Sequence, residues 1–304
     1  MTSRTHTVGD GQHDFVGRHG LFAAVADWYE CSAEPYFVVG GQAGTGKSAA
    51  LQAIAERYPA VAAVHVCRPA VVSDRLPEQA AVRLATQLAQ SVPSFAAALV
   101  VGAAAESGDT FIGTANAETV AGQGRNVGLI IEQLTLGAGS DQKRWERTIS
   151  GPLRQMSSDD QNRHEVLIVV DALDEADQYD GDTTLTDLIA APDPASPVRW
   201  LISSRYDDGF VARLAPGTYR RWGLSHGTGA AETEADVVTF LRQWLQSSSP
   251  AAADPDALIT AAAEVCAGNF LFARLLVAAL NLADPPLTES AIRQTPKGLA
   301  AILA

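Results

Sequence analysis

Eight consecutive residues have the types and spacing needed to hold phosphate. Gly41-Gln42-Ala43-Gly44-Thr45-Gly46-Lys47-Ser48 fits G-x-x-x-x-G-K-[ST] at every fixed position. Glycines let backbone N–H groups turn inward around phosphate oxygens. A helix starting there adds its positive dipole end. Lys47 is expected to reach the β- and γ-phosphates, and the Ser48 hydroxyl to ligate Mg²⁺. Ala49, the next residue, is included in the expected nucleotide site.

A second group is carboxylate chemistry. Leu167 to Glu175 reads LIVVDALDE. An Asp at the carboxyl end of a buried parallel strand faces the crevice where a nucleotide binds. Asp171 is therefore the second expected Mg²⁺ ligand, directly or through water. Asp174 and Glu175 are the candidates for orienting or activating the attacking water, and the sequence leaves the choice between them open. Ser203-Ser204-Arg205 ends the next strand, where Arg205 could read whether a third phosphate is present. Phe15-Val16-Gly17-Arg18 precedes the first helix; by itself it reads as a lead-in, with Phe15 and Val16 packing on Leu21 and Phe22.

The elements that must position these residues are legible in part. Leu21, Phe22, Val25 and Trp28 recur at helical spacing. Tyr36 to Val39 is a short apolar run ending in glycines, the form of a buried parallel strand. A helix is expected over 46–58, a strand over 61–67 and a helix over 78–91, closed by Pro93. The stretch 95–140 is rich in Gly, Ala and Thr and has no helical period; 110–120 and 126–136 read as two strands around a Gly-Gln-Gly-Arg turn, an inserted hairpin. Residues 142–156 return to helix, in two pieces around Gly151-Pro152, and further strands are expected at 166–170, 198–203 and 219–224. After Ser225 the pattern is helical only. Val237, Phe240, Leu241, Trp244 and Leu245 share one face, with Thr233 and Asp236 spaced as a capping pair. Asp254-Pro255 reads as cap plus first-turn proline, Gly268 as a stop, and Asn269 as the cap of a last apolar helix. The expected fold class is α/β, a parallel sheet sandwiched by helices, followed by a small all-α domain. The expected division is an arm over 1–14, a nucleotide-binding domain over 15–225 with the insertion near 95–140, and a helical domain over 226–304.

Composition narrows the function classes. The 304 residues are 47% hydrophobic and 19% charged, which is globular. A formal net charge of -13 without a Lys/Arg run argues against a domain that holds nucleic acid by bulk phosphate attraction. Cys31, Cys67 and Cys266 are odd in number and widely spaced, neither a disulfide framework nor a zinc pattern, so a reducing compartment is expected. The polar start lacks the apolar core of a signal peptide, and the most apolar stretch, 257–282, carries Glu264 and Arg274 in its middle. The expectation is a cytoplasmic protein with no membrane contact.

With these segments together, the chain resembles a NACHT-type NTPase of the signal-transducing STAND branch of P-loop ATPases, an AAA+-like class. The specific feature is Asp171-Ala172-Leu173-Asp174-Glu175: a small residue after the metal-binding Asp, an apolar residue, then two acids. Phe15-Val16-Gly17-Arg18 resembles the segment that covers the adenine base, and Ile202 to Arg205 the family's sensor 1. Gly268 to Ala273 resembles the glycine-aromatic stretch of its helical domain. The likeness spans 15–304 except the region near 100–140, which lengthens the separation of Lys47 from Asp171; His19 stands where relatives often carry an acid.

The resemblance implies ATP and ADP as ligands with Mg²⁺, catalysis by Lys47, Arg205 and Asp174 or Glu175, and a slow ATPase switch. ADP would hold it closed, and ATP would favour a self-associating state. It also implies that a winged-helix domain, sensing repeats and an effector domain lie outside these residues, so that this core alone is expected to be monomeric. The alanine-rich composition with this resemblance points to bacterial defence or stress signalling. Two other readings stand beside it: an initiator-type AAA+ ATPase acting on DNA, and a nucleotide-binding scaffold without turnover.

Overall fold

The computed structural model describes residues 16–105, 110–118, 126–159, 166–191, 196–205, 209–248, 254–282 and 288–294. They fall into two compact units, residues 20–231 and the described residues of 1–19 with 232–304. The first unit is built on a five-stranded parallel sheet. Its strands are β1 (Tyr36–Gly40), β2 (Val61–Val66), β5 (Val166–Asp171), β6 (Val198–Ser204) and β7 (Tyr219–Gly223), in the order β2-β5-β6-β1-β7. β3 (Thr110–Glu118) and β4 (Asn126–Thr135) form a separate antiparallel pair, where two strands were expected. The Gly-Gln-Gly-Arg turn between them lies outside the described residues.

The central strands are near-continuous apolar runs, and every residue of β1, β5 and β6 is buried. That is the consequence of a parallel sheet covered on both faces. Successive residues serve opposite faces. Val166, Ile168 and Val170 join one cluster with Leu84 and Leu88 of α3 (Pro77–Ser91). On the other face Phe37 meets Trp28 of α1 (His19–Cys31), ring centroids 5.4 Å apart. The helix that follows β1, α2 (Lys47–Arg57), packs on β5 and β6.

Two expectations are corrected in this unit. The stretch after Pro93 is not without helix: α4 spans Pro93–Ala105. Apart from Ser94 and Gly102 its residues after the proline are all apolar, so no face contrasts with another and no period is visible, while alanine favours helix intrinsically. Phe95, Ala96 and Leu99 are buried. Pro93 both follows the end of α3 and opens α4, since a first-turn position does not need its missing N–H.

The second correction concerns Gly151-Pro152. α5 (Asp141–Trp145) runs through a π-helical turn, Glu146–Ser150, into α6 (Gly151–Asp159) without a break. The Gly151 N–H reaches back to the Glu146 carbonyl, five residues earlier. The wider turn accommodates a proline that can donate nothing. A Cβ on Gly151 would sit 2.7 Å from that same carbonyl oxygen, so glycine is required there. Two short helices, α7 (Leu185–Ala190) with a Thr184–Asp187 capping box and α8 (Gly209–Arg213), complete the unit.

The second unit is helical: α9 (Ala230–Ser248) leads into it, followed by α10 (Pro255–Cys266), α11 (Phe270–Leu282) and α12 (Glu289–Arg293). Val237, Leu241, Val265, Phe272 and Ile292 share its core. Asp254 caps α10 by accepting from the Ala257 N–H at 3.0 Å, and Asn269 caps α11 by accepting from Phe272 N–H at 3.0 Å. Thr233 and Asp236 are not a cap, because α9 begins at Ala230 and both residues lie inside it. Their side chains instead bind Arg18. Among the described residues no helix is long and apolar enough to cross a membrane.

Candidate nucleotide-binding site

The parallel register brings the carboxyl ends of three strands to one edge. Gly40 of β1 stands opposite Ser204 of β6, and Val170 of β5 opposite Ile202, so Asp171 and Ser203 are the next pair along. Ligands of open α/β sheets bind outside this edge.

Residues 41–48 turn from β1 into α2. Gly44 and Gly46 adopt φ of +81° and +89°, a region that L side chains rarely enter. Thr45 closes the loop on itself, its hydroxyl donating to the Gln42 carbonyl at 2.8 Å. The Gln42 N–H donates to Ser225 Oγ at 2.7 Å, which ties the loop's start to the segment after β7. Lys47 opens α2, and its ammonium donates to the carbonyls of Gly41 at 2.6 Å and Gln42 at 3.0 Å. Burial lowers the Lys47 pKa, and the charges of Asp174 and then Asp171 work in the opposite direction. Gln42, Ala43, Ser48 and Ala49 are exposed, so the loop's outer side and the first turn of α2 face solvent. The first N–H groups of α2 have no acceptor within the helix.

Asp171 ends β5 and is buried, with Oδ1 accepting from Ser203 Oγ. Ser203 Oγ in turn accepts from the Ala172 N–H at 2.9 Å. The chain then reverses at Ala172, whose φ of +56° is left-handed. A small residue is what this turn tolerates, since left-handed backbone crowds the Cβ. Asp174 and Glu175 follow on a 3₁₀ turn, Leu173–Gln178.

Arg205 bridges both acids. Its Nε lies 2.9 Å from Asp174 Oδ2, and its Nη2 lies 2.5 Å from Glu175 Oε1. Asp174 Oδ1 has looser contacts, from the Arg205 N–H at 3.3 Å and Ser204 Oγ at 3.4 Å. Burial raises the Asp174 pKa, partly offset by Arg205 and Lys47. Ser48 and Asp171 suit a cation that keeps phosphate oxygens and water among its ligands, as Mg²⁺ does.

The sequence-derived residues thus divide. Gly41 to Ala49, Asp171, Asp174, Glu175 and Arg205 all belong to the first unit. Phe15 lies outside the described residues. Val16, Gly17 and Arg18 group with the helical unit. The Arg18 N–H donates to Asp236 Oδ2 at 3.0 Å, its guanidinium bonds Thr233 Oγ1, and it lies 5.2 Å from the Phe270 ring centre. A side chain on Gly17, at φ +77°, would run into the Asp236 carboxylate. Ser225 and Gln178 were not singled out from sequence, and Ser203 was named only as part of the segment ending in Arg205. Ser203 carried a signal, a small hydroxyl in the strand beside the Asp171 strand; the other two carried none.

A family model described as an AAA ATPase domain matches residues 14–202, from the residue before Phe15 to Ile202 in β6. No curated protein matches the chain.

Proposed function

The chain belongs to the AAA ATPase domain family, and from that membership we propose that it is an ATP-binding, slowly hydrolysing switch of the STAND/NACHT kind. The observation that carries this reading is the bridge from Arg205 to both Asp174 and Glu175, beside a glycine-rich loop whose lysine is held by its own carbonyls. The left-handed Ala172 supports the finer assignment, because it explains why the acidic motif needs a small residue after Asp171.

In this reading Lys47 exchanges the Gly41 and Gln42 carbonyls for phosphate oxygens. Ser48 and Asp171 would hold Mg²⁺, which would neutralise charge on the phosphates. Asp174 orients the attacking water: of the site's carboxylates its charge acts most strongly on Lys47, and one of its oxygens has only loose contacts. Glu175 anchors Arg205. Arg205, paired with Asp174, keeps that carboxylate in place. ATP-favoured self-association and a signalling role in bacterial defence or stress belong to the same proposal.

Calorimetry with ATP and ADP, alongside phosphate release, tests it. Nucleotide binding that depends on Lys47, with slow release that depends on Asp174, is the expected result. Binding without any release supports a scaffold instead, and no binding sinks the reading.

A further inference from the structure

The contacts of Arg205 continue beyond the site. Glu175 gives one oxygen, Oε1, to Arg205, and the other, Oε2, accepts from Gln178 Nε2 at 2.6 Å. The Gln178 amide oxygen accepts from Arg75 Nη1 at 2.7 Å. Arg75 stands in the connection between β2 and α3, far away in sequence. That connection is itself pinned. Asp74 is fully buried, its carboxylate accepting from Arg68 Nε at 2.5 Å and from Arg83, and its carbonyl bonded to His65 Nε2 at 2.8 Å.

A glutamine amide has one donating and one accepting end. With the Arg75 cation at Oε1, the NH₂ group must face Glu175. Turned over, the amide would set its oxygen against a carboxylate and its NH₂ against a guanidinium. Arg75 therefore fixes which way Gln178 faces, and Gln178 fixes the second oxygen of Glu175. With both oxygens engaged, Glu175 presents one geometry to Arg205.

We propose that Gln178, oriented by Arg75, is a positioning residue for hydrolysis: it holds Glu175 so that Arg205 stays paired with Asp174. The proposal rests on the reading of Asp174 as the water-orienting carboxylate. None of Arg75, Gln178 and Glu175 has a role in holding the nucleotide, so the relay acts on turnover and not on binding. Gln178 is exposed, so its replacement leaves the core intact.

Phosphate release, KM and thermal midpoint are measured for the wild type and for Arg75→Ala, Arg75→Lys and Gln178→Leu. Arg75→Ala and Gln178→Leu are expected to lower kcat about fivefold, the effect of one exposed charge-assisted hydrogen bond, with KM and midpoint unchanged. Arg75→Lys is expected to recover most of the loss, because an ammonium can still donate to the amide oxygen. Unchanged kcat in both variants, or a fall matched by a lower midpoint, overturns the proposal. Should the wild type release no phosphate in a Lys47-dependent way, the hydrolysis reading fails separately. The relay is then read from the Arg205 Nε–H resonance in ¹⁵N spectra. In Gln178→Leu that resonance is expected to shift and broaden as Glu175 loses its fixed geometry, and an unmoved resonance overturns the relay.

Discussion

At the scale of single residues, Lys47 and Asp174 carry different parts of the reading and separate cleanly. Among the described residues the Lys47 ammonium bonds only loop carbonyls, so its loss spares the fold. Lys47→Ala is expected to weaken ATP and ADP binding by about 2 kcal/mol, the worth of a charged hydrogen bond; calorimetry checks it. Asp174→Asn keeps the shape and removes the charge. It is expected to leave nucleotide affinity within threefold or so while cutting phosphate release by about a hundredfold, the usual contribution of a positioned base. Burial raises the Asp174 pKa above its ordinary 3.8. A base must be ionised to act, so kcat/KM, which reports the free enzyme, is expected to fall as pH drops through that raised value, and the acid limb should lie above pH 3.8. An acid limb that is the same in Asp174→Asn would assign the titration elsewhere.

At the scale of elements, two connections at the carboxyl edge of the sheet are built to be rigid. After β5 the chain turns through left-handed Ala172. Ala172→Val puts a branched side chain into that conformation, and it is expected to lower stability by about 2 kcal/mol, whereas Ala172→Gly should be close to neutral. Thermal midpoints of the two variants decide this. After β2 the buried Asp74 ties Arg68 and Arg83 together; burial pushes its carboxyl up, but these partners outweigh it and hold the pKa down at about 2, below an ordinary 3.8. A depressed carboxylate stabilises the fold fully above its unfolded pKa and stops doing so as pH falls through the folded one. The wild type should therefore lose stability between pH 4 and about pH 2 more steeply than Asp74→Asn, which starts lower and lacks this slope. Denaturant midpoints measured across that range check the prediction.

At the scale of the whole molecule, charge and assembly carry the tests. A net charge of -13 leaves little to attract a polyanion, so filter binding with duplex DNA at low salt is expected to show no retention. Strong retention would favour the initiator-type alternative. The core is expected to be mostly monomeric, with any self-association confined to ATP or an analogue and not seen with ADP, because a ligand shifts an equilibrium only through contacts that differ between the states. Light scattering of the two complexes measures it; an oligomer indifferent to nucleotide would remove the switch from the proposal.

The residues by themselves determined the phosphate loop, the acidic motif, the buried strands and the caps at Asp254 and Asn269. Each of these is a local pattern, in which a few adjacent residue types have only one inexpensive backbone or burial to adopt. Tertiary structure alone decided the rest. α4 was hidden because uniform apolarity has no period, although two sides of a helix can be buried unequally. Gly151-Pro152 suggested a break because chain-local rules count a lost donor, while the structure absorbs it in a π-helical turn. Thr233 and Asp236 had the spacing of a cap, yet capping depends on where the helix starts, and it starts earlier; the pair binds Arg18, which stands more than two hundred residues away in the chain. The link from Arg75 through Gln178 to Glu175 has no signature in sequence for the same reason: a hydrogen bond depends on distance in space, and spacing along the chain does not encode it.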